Sequence, residues 1–142
     1  MRHEAIFAPM IAFTLLVFLV WMQLGFVRIS GGRRGVISRE YMRLGSGPEP
    51  PESVVGIHRH FSNLFEVPVL FYAVCIALFV TRTVDELAIS LAWFFVLARV
   101  VHTALVLSTN RPRQRVIPYV LSSLAVFGLW LLLGLRVFLA AA

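Results

Sequence analysis

Polar side chains that could do chemistry lie at the beginning of an apolar stretch that is long enough to enter a membrane. Four of them are spaced i, i+3, i+4 and i+7 and would share one face of a helix: Arg59, Ser62, Asn63 and Glu66. An ionised side chain inside a bilayer costs about 2.5 to 3.5 kcal/mol, so the Glu66 carboxylate needs a partner. Arg59 lies too near the beginning of the stretch to neutralise it alone. Arg99, in another apolar segment, is the strongest additional partner.

More polar residues are expected at the same membrane depth on the other apolar segments. Arg99 and His102 are three residues apart, so they would share a helix face. Arg115 and Tyr119 are four apart and would do the same. With Arg28 at the end of the first segment, these residues predict one polar pocket. Because arginine forks bind carboxylates and a carboxylate binds an ammonium or an amide, the pocket suits a small polyanionic ligand with an amino group. Glutathione fits this description, as do many nucleotides and amino acids.

Structural roles are the alternative for several of these residues. An ion pair of Glu66 with Arg99 could serve only to fix the register of two helices. His58 and His60 are two apart and would not share a helix face, and His102 is remote in sequence, so no metal site is predicted. The loop arginines are interpreted as topology signals and lipid-headgroup contacts: Arg33, Arg34, Arg39, Arg43 and Arg113.

Four apolar segments must position these side chains. Of the 142 residues, 59% are hydrophobic and only 14% are charged, which predicts one integral membrane domain, residues 1–142. About 20 apolar residues suffice for a helix to cross the hydrocarbon core. Helices are predicted at residues 5–27, 54–81, 86–107 and 113–140. The predicted fold is an all-α, up-and-down four-helix membrane bundle with a long cytoplasmic loop between the first two helices.

Glycine and proline are expected to shape that loop and the second helix. Gly31 and Gly32 should break any helix that continues beyond the first segment. Pro68 removes a backbone donor and crowds the carbonyl group of Leu64, so a kink is predicted beside Glu66.

The basic residues predict topology rather than nucleic-acid binding. The formal net charge is +6 and all 13 basic residues are arginines, but they flank apolar segments. The first and third loops carry most of them, so both loops should face the cytoplasm of a bacterial inner membrane, with the two termini outside. Cys75 lies among apolar residues and is expected to be a small buried hydrophobe.

Motifs in the second, third and fourth segments resemble those of the MAPEG family, the membrane-associated proteins in eicosanoid and glutathione metabolism. An arginine followed by N-x-x-E and a proline stands here as Arg59, Asn63, Glu66 and Pro68. The sequence ARVVHT at 98–103, RPRQR at 111–115 and then Tyr119 is similar to the pattern of the prostaglandin E synthase and microsomal glutathione transferase branch. The motifs occur in order on four apolar segments and span nearly the whole chain.

The resemblance implies a homotrimer that binds glutathione between neighbouring subunits near the cytoplasmic face, while lipophilic substrates arrive from the bilayer. By matching position, Arg115 would stabilise the glutathione thiolate, since a cation beside a thiol favours its charged form. Arg99 would help to hold the polar network. The remaining site residues would bind glutathione: Arg28, Arg59, Asn63, Glu66, His102 and Tyr119.

Three positions depart from the prostaglandin-synthase pattern. Ser62, Val106 and Val116 stand where that branch has an arginine, a tyrosine and a serine. A bacterial-type member with another substrate is therefore expected, and the predicted function is a glutathione transferase or peroxidase acting on a lipophilic electrophile or hydroperoxide. The alternatives are a non-catalytic membrane binding or assembly protein and a small proton-coupled transporter.

Overall fold

The computed structural model describes residues 3–108 and 111–141, and the described chain is all-α. A short 3₁₀ helix at His3–Ile6 leads into the first long helix. The α-helices in chain order are α1 Phe7–Arg33, α2 Arg39–Leu44, α3 Glu52–Asn63, α4 Val67–Val80, α5 Glu86–Ser108 and α6 Pro112–Ala141.

Four helical stretches are long and apolar enough to cross a membrane: His3–Arg33, Val54–Val80, Glu86–Ser108 and Arg113–Leu139. Large apolar side chains also cover their outer surfaces, and Phe138, for example, is 78% exposed. Such surfaces are unfavourable in water and are expected against lipid or another apolar surface. The prediction of an all-α bundle with four long apolar helices is confirmed, and the chain is a multi-pass integral membrane protein.

Aromatic rings join three of the long helices at the centre of the bundle. The Phe71 ring of α4 stacks on the Phe95 ring of α5, with centroids 4.1 Å apart. Phe13 of α1 meets both rings, at centroid distances of 6.1 and 5.2 Å. All three side chains are fully buried, so this contact sets the spacing of α1, α4 and α5. The most extensive contact between elements is that of α5 with α6.

The end of the first helix differs from the prediction, because α1 passes through both glycines and ends at Arg33 rather than near residue 27. The chain then folds back, and the N–H groups of Val36 and Ile37 donate to the Gly31 carbonyl group at 2.9 and 3.2 Å. A Cβ atom on Gly31 would lie 2.6 Å from Ile37 Cδ1. Gly31 therefore lets the loop pack against the helix, and it does not break the helix.

The first loop contains the short helix α2, which was not predicted. Ser38 begins it as a capping residue, since its hydroxyl accepts a hydrogen bond from the Tyr41 N–H at 3.1 Å. Gly45 ends it in the left-handed conformation, with φ of 68°. The predicted loop between the first two membrane-spanning helices therefore contains a short capped helix.

The second predicted helix, residues 54–81, is divided into α3 and α4 rather than kinked. Leu64, Phe65 and Glu66 interrupt it, and Glu66 directly precedes α4. Pro68 lies in the first turn of α4, where it has no N–H to donate to the Leu64 carbonyl group. The interruption falls beside Glu66, where the kink was predicted. The third and fourth helices agree with their predicted limits to within a residue at each end.

Asp85 connects the beginning of α5 to the distant end of α6. Its carboxylate accepts a hydrogen bond from the Ala88 N–H at 2.8 Å and forms an ion pair with Arg136, which also donates to the Thr83 carbonyl group. Partial burial raises the pKa of Asp85, but the Ala88 N–H and the Arg136 guanidinium outweigh it and hold that pKa below its usual range. The stabilisation is therefore present above the unfolded pKa of about 3.9 and is lost as the pH falls through the folded pKa.

We expect Asp85→Ala to lower the free energy of unfolding by about 1 kcal/mol, chiefly because the helix cap is lost. The ion pair is partly exposed, with side-chain exposures of 22% for Arg136 and 45% for Asp85, so it adds less than the cap. Asp85→Asn keeps a capping oxygen, so its loss should be smaller, and its difference from the parent should vanish at acidic pH. Denaturant unfolding in detergent at several pH values measures both effects. An alanine variant as stable as the parent at pH 7 would contradict the capping role.

Candidate functional site

A cavity of about 750 Å³ opens where α3, α5 and α6 meet. The interruption at Glu66 forms part of its wall, and so does the extended segment before α3, which includes Glu49. Most of its wall therefore comes from three spanning stretches that are far apart in sequence. Volumes of this size are typical of sites for small organic ligands.

Six of the eight sequence-predicted site residues line this one cavity, and two do not. Arg28 is half-buried on α1, outside the cavity wall. Arg99 lies behind the wall. The six that line it are Arg59, Asn63, Glu66, His102, Arg115 and Tyr119.

Arg99 is fully buried beneath the Tyr119 ring. Its guanidinium carbon lies 5.0 Å from the Tyr119 ring centroid and 5.6 Å from the Phe95 ring centroid. The guanidinium therefore makes a cation–π contact with each of the two rings. All three of its side-chain nitrogens are buried without a hydrogen-bond partner. The Tyr119 ring therefore rests on a buried positive charge.

The expected direct ion pair of Glu66 with Arg99 is not formed in the part of the chain that the structure describes, although the Glu66 charge still acts on the Arg99 guanidinium over a longer distance. The guanidinium of Arg99 has no hydrogen-bonded partner there, and Glu66 has an exposed side chain. Glu66 directly precedes α4, beyond the end of α3, and it lines the same cavity as Arg59 and Asn63 of α3.

His102 connects α5 to the first turns of α6. Its Nδ1 donates a hydrogen bond to the backbone carbonyl group of Arg115 at 2.8 Å. Its Nε2 is buried without a partner, and its ring centroid lies 5.7 Å from that of Tyr119. The bond holds the Arg115 backbone at the cavity wall whatever the Arg115 side chain contacts.

His60 is a cavity residue that the sequence analysis considered only as a metal ligand. It is buried, its ring centroid lies 5.3 Å from that of His102, and its Nε2 is hydrogen-bonded to the Thr103 hydroxyl at 3.1 Å. The available signal was its position three residues before Asn63, which places both on one face of α3. No group of three His, Cys, Asp or Glu side chains in the described ranges could hold a metal ion.

Two further carboxylates at the cavity were also missed. Glu49 precedes α3 and Glu52 lies in its first turn, and both line the cavity with Glu66. The sequence signal was weak for Glu49, which is flanked by prolines. Glu52 is seven residues before Arg59, and this helical spacing could have predicted that Glu52 shares a face with Arg59. The wall therefore combines three carboxylates with the guanidinium groups of Arg59 and Arg115.

Apolar side chains line the remaining part of the cavity. Val106 of α5 and Val116 of α6 both belong to the wall, as does Ser62. The three positions that the sequence analysis singled out therefore lie in the lining of the cavity itself.

A four-span membrane protein with a charged cavity between its helices is the class that this fold and site define. The model of the MAPEG family matches residues 6–135, nearly the whole chain. The chain therefore belongs to the MAPEG family, whose members are mostly glutathione-dependent membrane enzymes. Comparisons with curated proteins and with solved structures find no match.

Proposed function

We propose that this protein is a membrane glutathione transferase or peroxidase that binds glutathione in the cavity and uses it as the thiolate against a lipophilic electrophile or hydroperoxide. The observation that carries the proposal is the convergence of Arg59, Asn63, Glu66, His102, Arg115 and Tyr119 on one cavity. Membership of the MAPEG family supports the same ligand.

The cavity lining fits the chemistry of glutathione. That tripeptide carries two carboxylates, an ammonium group, two amides and a thiol. The cavity wall carries two guanidinium groups, three carboxylates, and the side chains of His60, His102 and Asn63. These groups of both charges match the carboxylates and the ammonium group of the tripeptide.

Each charged group of the wall has a role that follows from its chemistry. The Arg59 guanidinium suits a ligand carboxylate, and the Glu66 carboxylate suits the ligand ammonium. Arg115 would hold the thiolate, since a permanent positive charge beside sulfur favours loss of its proton. The catalytic gain would come from thiolate formation and from proximity to the second substrate.

Arg99 and Arg28 would act indirectly. Arg99 positions Tyr119, because the Tyr119 ring lies directly on its guanidinium. Arg28 lies outside the cavity of its own chain. We place it in the site only through a homotrimer, in which each glutathione lies between neighbouring subunits. The apolar outer faces of the helices are compatible with such contacts and with membrane lipids.

The second substrate would reach the cavity from the bilayer, past the wall formed by Val106 and Val116. This direction suits a lipophilic molecule, because both side chains are apolar. We place the arginine-rich first and third loops in the cytoplasm of a bacterial inner membrane, with both termini outside, so that cytoplasmic glutathione is available to the cavity.

Calorimetric titration of the protein in lipid nanodiscs with glutathione tests the proposal, followed by turnover with panels of lipophilic electrophiles and hydroperoxides. We expect saturable binding and conjugation or peroxide reduction above the uncatalysed rate. Binding without turnover on either panel would favour the non-catalytic alternative. Absence of glutathione binding at millimolar concentration would overturn the proposal.

A further inference from the structure

A second, smaller cavity lies on the outer surface at the end of α1, away from the cavity between α3, α5 and α6. It has a volume of about 320 Å³ and is lined by Phe26, Ile29, Ser30, Arg33 and Arg34, none of which lines the larger cavity. The first four are spaced i, i+3, i+4 and i+7, so they share one face of α1, and Arg34 follows as its C-terminal capping residue. The last two turns of α1 therefore form this cavity.

The lining changes from apolar to charged along the helix axis. Phe26 and Ile29 are 74% and 56% exposed and form its apolar part. The exposed side chains of Arg33 and Arg34 begin about 10 Å further along the helix, seven residues at 1.5 Å each. The apolar span that contains α1 ends at Arg33, so these guanidinium groups lie where the hydrocarbon core meets the lipid headgroups. A phospholipid presents its acyl chains and its phosphate in the same order.

The charges of the cavity favour one kind of headgroup. Among the described residues, neither Arg33 nor Arg34 forms an ion pair with a carboxylate, and no carboxylate lines the cavity. Guanidinium groups bind phosphate oxygens through paired N–H donors. An ammonium group would lie beside two positive charges without a carboxylate to bind it. The lining therefore favours a phosphate whose headgroup carries no ammonium.

The backbone at the end of α1 does not oppose an anion. The last carbonyl groups of a helix carry partial negative charge when they are unpaired. Here the Ser30 carbonyl group accepts a hydrogen bond from the Arg34 N–H at 3.0 Å, and the Gly32 carbonyl group accepts one from the Gly35 N–H at 3.2 Å. The Gly31 carbonyl group is bonded by the loop that folds back. The guanidinium groups therefore dominate the charge at this end of the helix.

Other contacts of α1 leave this face open. Gly31, against which Ile37 packs, lies about 140° from Phe26 around the helix, and Arg28 lies about 200° from Phe26. The returning loop therefore packs on another side of α1. A contact of Arg28 with a neighbouring subunit would also lie on the opposite side. The Phe26 face is left for the surrounding lipid.

We propose that this face of α1 is a binding site for an anionic phospholipid, with Arg33 and Arg34 on the phosphate and with Phe26 and Ile29 on the acyl chains. The site is independent of the proposed function. It also distinguishes two of the loop arginines from the others. Arg39 and Arg43 lie in α2 outside this cavity and would contact headgroups without selecting one.

Native mass spectrometry of the purified full-length protein, titrated with phosphatidylglycerol or phosphatidylethanolamine, tests the selectivity. The double variants Arg33→Gln/Arg34→Gln and Arg39→Gln/Arg43→Gln remove the same charge from two places. We expect the first to bind phosphatidylglycerol about tenfold more weakly, as for lost charge-assisted hydrogen bonds, and the second to stay within about twofold of the parent. Thermal unfolding checks that both variants fold. Equal weakening in the two variants, or a parent that binds both lipids equally, would overturn the proposal.

A photoreactive phosphatidylglycerol, with its reactive group in the acyl chain, locates the site in the parent protein without any variant. In phosphatidylethanolamine nanodiscs, we expect it to label the segment that contains Phe26 and Ile29, and unlabelled phosphatidylglycerol should suppress that labelling. Glycerol phosphate at the same ionic strength should not suppress it. Equal suppression by glycerol phosphate would indicate a site for free phosphate and overturn the lipid assignment. Even labelling of all spans, or cross-linking of this face to a second copy of the chain in place of the lipid, would also overturn it.

Discussion

Replacing Arg115 by alanine is expected to lower turnover with glutathione by about 100-fold or more, while glutathione affinity falls much less. The side chain lines the cavity, and its positive charge is assigned to the thiolate. The contact of Arg115 with His102 uses the backbone carbonyl group, so the substitution leaves that bond in place. A loss of turnover with unchanged thermal unfolding would report the missing guanidinium rather than a collapsed cavity.

Two companion variants make the Arg115 result specific. Arg115→Lys keeps a positive charge but loses the planar fork, so we expect an intermediate loss of about tenfold. Arg113→Ala removes an exposed arginine that lies outside the cavity wall and should turn over like the parent. Steady-state rates at saturating glutathione measure all three. Equal losses in the Arg113 and Arg115 variants would show a general effect of charge near the membrane surface and would contradict the thiolate role.

Replacing Glu66 by glutamine is expected to weaken glutathione binding by about tenfold, because the carboxylate is assigned to the ligand ammonium. The side chain is exposed at the cavity, so the effect should be smaller than for a fully desolvated charge pair. N-acetylglutathione lacks the ammonium group and should bind the parent protein with a similar loss.

Combining the Glu66 variant with the acetylated ligand completes a double-mutant cycle. If the two groups contact each other, acetylation should cost little further affinity in Glu66→Gln. Glu40→Gln is the control, since Glu40 lies in α2 and not at the cavity wall. Calorimetric titration measures every corner of the cycle. An acetylation penalty as large in Glu66→Gln as in the parent would assign the ammonium to another carboxylate, such as Glu49 or Glu52.

The spans were predictable because apolar length alone decides them, whereas several helix ends depended on tertiary contacts. Gly31 was predicted to break the helix from its residue type, but its actual role depends on Ile37, which packs against it. Ser38 and Gly45 do carry local signals, a capping hydroxyl and a left-handed glycine, that could have predicted α2. Pro68 alone predicted a kink beside Glu66. The structure has a full interruption of the helix at that place, which was not expected.

The cavity could be predicted only in part, because helical spacing groups residues within one helix but does not show which residues of different helices meet. Helical spacing predicted two pairs that each share a face, Arg59 with Asn63, and Arg115 with Tyr119. All four residues line one cavity. Glu66 lines the same cavity although it lies beyond the end of α3, whereas its expected direct contact with Arg99 is absent among the described residues. The position of His60 three residues before Asn63 was a usable local signal, whereas its contact with Thr103, 43 residues away, has no local pattern.

The most direct test of thiolate binding in this cavity is the near-ultraviolet absorbance of the purified protein titrated with glutathione at neutral pH, beside the same titration of Arg115→Ala. We predict a saturable thiolate absorbance in the parent that is lost in the variant, with binding retained in both. Saturable binding without thiolate absorbance in the parent, or equal absorbance in the two proteins, would contradict the assignment of Arg115 as the group that holds the thiolate.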